Sequence, residues 1–397
     1  MEKILYLVHR IPYPPNKGDK IRSFNILRAL AKKYKVYLAS FIDDPDDIQH
    51  GGTVESYCED VYLEPMSPKY AKIRSLKGLL RSTPLTLDYY YSKPLQKWVD
   101  RIIKENDIKK VLVFSSSMAQ YIEGKRFKSL KRIIDFVDID SDKWNQYSTT
   151  TKWPLNWVYK REAKFLGKYE HRIAGEFDYS LFVSSDEASH FMKMHGYTPA
   201  EVDYFDNGVD TNYFAPGTGL ASPYNDDEKV IVFAGAMDYW ANVDAVVWFA
   251  THIYPSVKNK FPGALFYIVG TNPTEQVRAL SEIEGVYVTG RVDDIRSYIE
   301  HADCSVAPLR IARGVQNKVL EAMSMGKPVI ASPEALEGID VCPGAEIDVA
   351  KDEEEYVAAI EKALGPKVKL VARHSRDCMV NRYGWDATLK KLLDVLA

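Results

Sequence analysis

The chain has 397 residues, 46% of them hydrophobic and 27% charged, and a net charge of −3. That length implies about two domains, and the slightly acidic balance gives no basis for nucleic-acid binding. The four cysteines, Cys58, Cys304, Cys342 and Cys378, make no CxxC, and the eight histidines form no HExxH. A disulfide framework, a zinc site and a resident metal are therefore set aside, and buried free thiols are expected.

The opening MEKILYLVHR carries an apolar run too short to cross a membrane and no small-residue cleavage site. It reads as the first strand (3–8) of a cytoplasmic protein. His9 ends this strand, as an acceptor contact or as a structural histidine. A helix near 20–33 follows, and before it lies PPNKGDK. Gly18 there either lets a phosphate or sugar approach the backbone beside Lys17, or is a plain turn glycine after prolines. KVYLAS (35–40) is a second strand. The stretch 69–84 then carries Lys69, Lys72, Arg74, Lys77 and Arg81 without an acid, interleaved with Ile73, Leu76, Leu79 and Leu80. It is either a solvated helical face or a surface that lies on an anionic membrane.

VLVF (111–114), RIIDFV (132–137) and YSLFV (179–183) continue the apolar strands. Asp138 and Asp140 follow the second of these. An acid at a strand's carboxyl end can orient or deprotonate an acceptor hydroxyl. The alternative is capping of the next helix by Asp138, Asp140 or Ser141. A second series runs through VIVFAG (230–235), ALFYIVG (264–270), VYVTG (286–290), CSVAPL (304–309) and PVIAS (328–332). The two are separated near 207–229, rich in Gly, Pro, Ser and Asp. Apolar strands alternating with amphipathic helices predict two doubly wound α/β domains with parallel sheets facing across a cleft.

GVQNKVLEAMSMGKPV (314–329) reads as a helix, a stop at Gly326 and Pro328, and a strand. Val315, Val319, Ala322 and Met323 share one face; Asn317, Glu321 and Ser324 share another, with Lys318 on its flank. In isolation this is an amphipathic helix with a weak Lys318–Glu321 pair. Its address changes the reading. RIARG leaves the carboxyl end of a strand, and Gly314, Gln316, Asn317 and Lys318 open the helix. Arg310, Arg313 and Lys318 place cations at a helix start, where the dipole disfavours them. A diphosphate resolves that conflict, and Glu321, one turn deeper, suits a ribose.

With these segments in view, the chain resembles the retaining glycosyltransferases of family four, which have the GT-B fold. The motifs are NGVD (207–210), VYVTGRVDDIRSYIEHADCSVAPLR (286–310), NKVLEAMSMGKPVIAS (317–332) and NRYGWDATLKKLLDVLA (381–397). PYPPNKGDKIRSF, DFVDIDSDKW and ARGVQNKVLEAM are similar to a subgroup associated with exopolysaccharide and surface-glycan assembly. The resemblance implies an acceptor-side domain (1–212), a donor domain (213–380) and a terminal helix (381–397) returning to the first. It implies transfer from a nucleotide diphosphate-sugar, a substrate rather than a cofactor, to a glycan or lipid-linked glycan. It implies a cytoplasmic enzyme peripheral to the inner membrane face, and the lack of a DxD-type or histidine ligand set at the proposed phosphate site predicts no protein-held metal. The position of Glu321 is that of the family's ribose-holding glutamate. Gly235 and the pair Arg291 and Val292 stand where relatives approach the donor and hold its base, each with a purely structural role as the alternative.

Two departures stand out. A second glutamate usual in the family is replaced by Arg313. The loop 235–245, GAMDYWANVDA, lacks the arginine and lysine that relatives draw from it. The diphosphate is accordingly assigned to Arg310 and Lys318. Rival readings are a nucleotide-sugar epimerase or hydrolase on the same fold and a non-catalytic nucleotide-sugar-binding subunit. A dinucleotide dehydrogenase is weaker still, for want of a full GxGxxG.

Overall fold

The computed structural model describes residues 1–198, 201–312, 315–345, 347–365 and 372–397. Contacts divide the chain into two units, Met1–Asp206 with Leu389–Ala397, and Asn207–Thr388.

The first unit is built on β1 (Glu2–Val8), β2 (Tyr34–Ile42), β3 (Asp60–Pro65), β4 (Lys110–Phe114), β5 (Lys131–Val137), β6 (Tyr179–Phe182) and β7 (Val202–Tyr204). They form one sheet in the order β3-β2-β1-β4-β5-β6-β7. Every pairing is parallel. Ile4 through Val8 are fully buried in succession, because helices cover both faces and no polar alternation is needed. The covering helices include α1 (Gly18–Lys33), α2 (Pro68–Ser75), α3 (Lys93–Asn106), α4 (Asp140–Thr150), α5 (Leu155–Glu176) and α6 (Ser185–His195).

Inside this unit Arg22 of α1 and Asp135 of β5 make a buried two-point ion pair, with Nε–Oδ2 2.8 Å and Nη2–Oδ1 3.2 Å. The guanidinium also donates to the Phe205 carbonyl and lies 3.6 Å from that ring's centroid. Such a pair contributes little net stability, yet removing one partner strands a charge in the core. Just beyond it the strand breaks step: the register with β6 slips between Asp135 and Val137. Val137 has φ +70°, and the Asp138 amide donates back to the Phe136 carbonyl at 3.0 Å. This is a γ-turn of the strained hand on a β-branched residue.

The second unit contains β8 (Lys229–Ala234), β9 (Ala264–Val269), β10 (Val286–Gly290), β11 (Cys304–Ala307), β12 (Val329–Ala331) and β13 (Ile347–Val349). Its order is β10-β9-β8-β11-β12-β13, again all parallel. Its helices include α7 (Trp240–Trp248), α8 (Ile295–His301), α9 (Asn317–Ser324), α10 (Glu353–Leu364) and α11 (Ala372–Cys378). Both sheets step outward from a central strand and then reverse, the Rossmann arrangement, whose ligand crevice lies at the reversal point beyond the strand ends. Those points are β1/β4 in one unit and β8/β11 in the other.

Residues 207–212 and 381–388 stay with the second unit for a local reason. Val209 donates its amide to the Tyr383 carbonyl at 2.7 Å, and a Cβ on Gly208 would come within 2.8 Å of the Trp385 ring. The final helix, α12 (Lys390–Leu396), belongs to the first unit. Leu389, Leu392 and Leu396 are buried there, and Lys391 pairs with Asp203 at 2.5 Å. The expectation of four free thiols is corrected: Cys342 and Cys378 form a disulfide with Cα atoms 5.9 Å apart. Packing of α11 brings together two residues 36 positions apart in the sequence. Cys58 and Cys304 are free.

Candidate functional site

In the second unit the reversal point is shaped by three short pieces: the turn after β8, the start of α7 and the start of α9. Gly235 ends β8. A side chain there would press to 2.8 Å of the Asn242 amide nitrogen, and Gly270 crosses so closely that its own Cβ would overlap the Gly235 carbonyl. The need for glycine at 235 is thus met by packing. The packing serves Asn242, a buried residue that sequence reasoning passed over. Its Nδ2 donates to the Ala236 carbonyl at 2.9 Å, and its Oδ1 accepts from Lys318 Nζ at 2.8 Å. No pattern in GAMDYWANVDA marks this asparagine; only the fold brings it to α9.

Lys318 lies one residue into α9, its ammonium 5.1 Å from the centroid of Phe233. Burial lowers its pKa to about 8, against the opposing pull of Glu321. Burial likewise raises the Glu321 carboxyl to about 7, with Lys318 pulling it back. Glu321 accepts no side-chain hydrogen bond from the described residues, and Asn317 Oδ1, four positions earlier on the same face, is buried without a partner. Gln316 occupies the N-cap position and makes no side-chain cap. The helix stops as its sequence requires. Gly326 adopts φ +67°, its amide bonds the Met323 carbonyl, and Lys327 bonds the Ala322 carbonyl, which is a Schellman ending. The start differs from expectation: α9 begins at Asn317. Gly314 and Arg313 lie outside the described residues.

Arg310 is placed elsewhere. It leaves β11 exposed and makes a two-point ion pair with Asp244, Nε–Oδ2 being 2.9 Å. Asp244 and Asn242 are two positions apart on α7, about 200° around the helix, so Arg310 and Lys318 sit on different sides of it and are not brought together. Arg310 helps to line an open groove of about 850 Å³ with Asp238, Trp240, Asp244, Trp248 and Glu275. After β10, Arg291 is exposed. Val292 packs against the small cluster of Val230, Val232 and Val269.

The first unit gathers a second group at its own reversal point. Lys17 and Gly18 are exposed at the start of α1. Gly18 has no positive φ, and a Cβ on it would meet nothing within 4 Å. Neither backbone nor packing demands glycine here, which removes the support for a turn glycine. His9 stacks on Phe114 and faces Asp19 with Nε2–Oδ2 3.4 Å, while its Nδ1 is buried without a partner. Burial alone would raise the Asp19 carboxyl, but His9 and Arg10 outweigh it and hold the group well below the usual carboxylate range. Asp19, in the first turn of α1, was missed although KGDK displays it.

Asp138 is exposed and Asp140 half-buried at the strained end of β5. The capping alternative is corrected: Ile139 holds the N-cap of α4, and no side chain caps it. Asp140 instead accepts from Ser116 Oγ at 3.3 Å. Burial raises its pKa, and Asp138 adds to that against Lys143 and His9. Glu170 of α5 lies buried beside it. Its Oε1 accepts from the Ser141 amide at 3.3 Å and its Oε2 has no partner. Burial, then Asp140, pushes Glu170 well above its ordinary value. Nothing in the sequence separates Glu170 from the other charges of a long amphipathic helix. Among the described residues no group of three or more His, Cys, Asp or Glu is set to hold a metal ion.

Comparison with known proteins places this geometry. Residues 228–365, which include β8, α7 and α9, match the family model described as Glycosyl transferases group 1. No curated protein matches the chain. Among solved structures, HepE of Anabaena in complex with UDP is 15% identical with a TM-score of 0.65, covering 99% of each chain. WaaG, a glycosyltransferase involved in lipopolysaccharide biosynthesis, is 14% identical with a TM-score of 0.65 over 99% of each chain. The sucrose-phosphate synthase of Thermosynechococcus elongatus is 15% identical with a TM-score of 0.64, over 99% of this chain and 98% of that one. At these identities the likeness establishes the fold. The chain has the two-domain, Rossmann-like GT-B fold, and its second unit is similar to a glycosyl transferases group 1 domain.

Proposed function

We propose that this chain is a retaining glycosyltransferase that moves a sugar from a nucleotide diphosphate-sugar to a hydroxyl of a glycan or lipid-linked glycan. The observation that carries the reading is the face of α9. Asn317 Oδ1 is an acceptor buried without a partner among the described residues, and the Glu321 carboxylate on the same face is held in surroundings that raise its pKa to about 7; a buried acceptor left unpaired is costly. A ribose diol supplies two O–H donors. Lys318, aimed by Asn242, supplies positive charge for the diphosphate beside them. The similarity of residues 228–365 to glycosyl transferases group 1 supports the same assignment.

In this reading the bond from the anomeric carbon to the diphosphate oxygen breaks as Lys318 stabilises the charge on the leaving group. The acceptor oxygen bonds to the same face of the sugar, and its proton passes to the departing phosphate. Arg310 joins the phosphate contacts only by leaving Asp244, so Lys318 carries the larger role. On the acceptor side, His9, Lys17, Asp138 and Asp140 orient the incoming hydroxyl. The basic stretch 69–84 keeps the enzyme at an anionic bilayer at the inner face of the membrane, where a lipid-linked acceptor is embedded. No protein-held divalent metal is required.

The test is a nucleotide-sugar panel incubated with lipid-linked and free glycan acceptors. Acceptor-dependent product whose anomeric configuration matches the donor supports the proposal. Free sugar or an isomer formed without acceptor supports an epimerase or hydrolase instead, and binding without turnover supports a non-catalytic subunit. Activity abolished by EDTA and restored by magnesium or manganese would overturn metal independence.

A further inference from the structure

The exposed apolar side chains of the first unit are concentrated on two neighbouring elements. On α2 and the turn after it, Tyr70 is 67% exposed and Ile73 66%, and Leu76 is also largely open. They recur every third residue, so they share one side. Ala71 and Ser75 are the buried side. At the α4–α5 connection Trp153 is 80% exposed, followed by Leu155 and Trp157.

These two groups are tied together. Arg161 of α5 donates to the carbonyls of Gly78, Arg81 and Thr83. Glu162 accepts from the amides of Leu85 and Thr86 at 2.7 and 2.9 Å. Trp157 stands one turn before Arg161, on the same side of α5. The charges around the aromatic groups have one sign. Lys69, Lys72, Lys77 and Arg81 are exposed on the first element, and Lys152, Lys160 and Lys164 on the second. Residues 66–87 contain no acid, and the one acid between Lys143 and Tyr169 is Glu162, which is buried and turned inward. Arg74 is not part of this surface: it donates to the Asp88 and Tyr89 carbonyls.

We infer that the stretch 68–81 and the α4–α5 tip together form a single docking surface for an anionic lipid bilayer. This deepens the membrane partner of the function proposed above, by naming the second element and its aromatic anchors. Tryptophan and tyrosine favour the headgroup level, where one edge of the ring is wet and the rest apolar. Lysines beside them attract acidic headgroups. No described helix is long and apolar enough to cross a membrane, so the contact is with the surface. Neither element alone offers both indole anchors and the acid-free cationic helix.

The test is flotation of the full chain with vesicles of phosphatidylcholine alone and with added phosphatidylglycerol, over a salt series. The expected result is at least a tenfold preference for the anionic vesicles, fading as salt rises. Lys72→Glu with Lys77→Glu lowers that binding by roughly thirtyfold or more. Trp153→Ser with Trp157→Ser lowers it about tenfold and removes a blue shift of tryptophan emission on vesicle addition. Both variants should keep the wild-type melting temperature, because the replaced side chains are exposed. Equal binding to neutral vesicles, or anionic binding untouched by the tryptophan pair, overturns the inference. So does self-association by light scattering without any vesicle binding. Donor stabilisation by the nucleotide-sugar panel reads the second unit separately, so failure of this surface and failure of the transferase reading are told apart.

Discussion

Glutamine at position 321 separates a ligand-holding carboxylate from an ordinary helix-surface one. In the ligand-free protein burial raises Glu321 to about 7 from 4.5. At pH below 4.5 the group is neutral in the folded and unfolded chains alike, and Glu321→Gln changes little. Between 4.5 and about 7 the folded state keeps a proton that the unfolded state has released, so stability falls as pH rises. Above about 7 the full cost is present. At about 1.4 kcal/mol per pKa unit this shift, in which the pull of Lys318 is already included, sets a ceiling of about 3 kcal/mol. For a unit of this size each kcal/mol moves the melting temperature by about 2–4 °C. Glu321→Gln should therefore melt with the wild type in acid and several degrees above it at mildly alkaline pH. Its affinity for a nucleotide sugar should fall by roughly 1.5–3 kcal/mol, because charge-assisted acceptance is lost. The assay is a set of melting curves across pH with and without nucleotide sugar, joined to calorimetric titration. Superimposable pH profiles together with unchanged affinity would refute the reasoning, since an exposed helix face shows neither effect.

Lys318→Ala should lose about a hundredfold in turnover number, with a smaller change in donor affinity, when initial rates are measured at saturating acceptor. Because burial lowers Lys318 to about 8, wild-type donor affinity should weaken as pH rises beyond that value and the ammonium is lost, a trend that Lys318→Arg removes. Ending the chain at Thr388 removes the buried Leu389, Leu392 and Leu396, each worth about 1.5–3 kcal/mol; a first unit that melts unchanged would show that α12 adds nothing. Reduction of Cys342–Cys378 opens a 36-residue span and should destabilise the second unit by about 3–4 kcal/mol on the chain-entropy estimate, read as a lower melting temperature that the Cys342→Ala variant reproduces.

The central strands were legible because their signal is simple. A strand buried on both faces must be apolar throughout, and KILYLV, VLVF and VIVFAG are. The edges were not. DVYLEP of β3 is half-exposed and polar at alternate positions, and β7 and β13 are three residues each, too short for a period to show. The α9 ending was readable, since Gly326 and Pro328 act locally. The partners of its polar face were not: Asn242 reaches Lys318 across 76 positions, and Arg310 reaches Asp244 across 66. The sequence therefore suggested two cations on one phosphate, where the fold sets them on opposite sides of α7. Glu170 and the disulfide were hidden for the same reason, being meetings of side chains from distant elements.

Val137 has a practical consequence for anyone who sets out to stabilise this protein. Its φ of +70° stores roughly 1–3 kcal/mol of backbone strain, and glycine would adopt the same angle without a Cβ to resist it. Every valine codon becomes a glycine codon by a single base change, so random mutagenesis reaches this replacement early and a heat-based screen will reward it. The reward has a hidden side. Valine restricts the turn that aims Asp138 and Asp140, and glycine sets it loose. A library selected only for survival at high temperature will tend to collect Val137→Gly and, on the proposed roles of Asp138 and Asp140, shed acceptor-side activity with it, so thermostability campaigns on this scaffold should hold position 137 fixed.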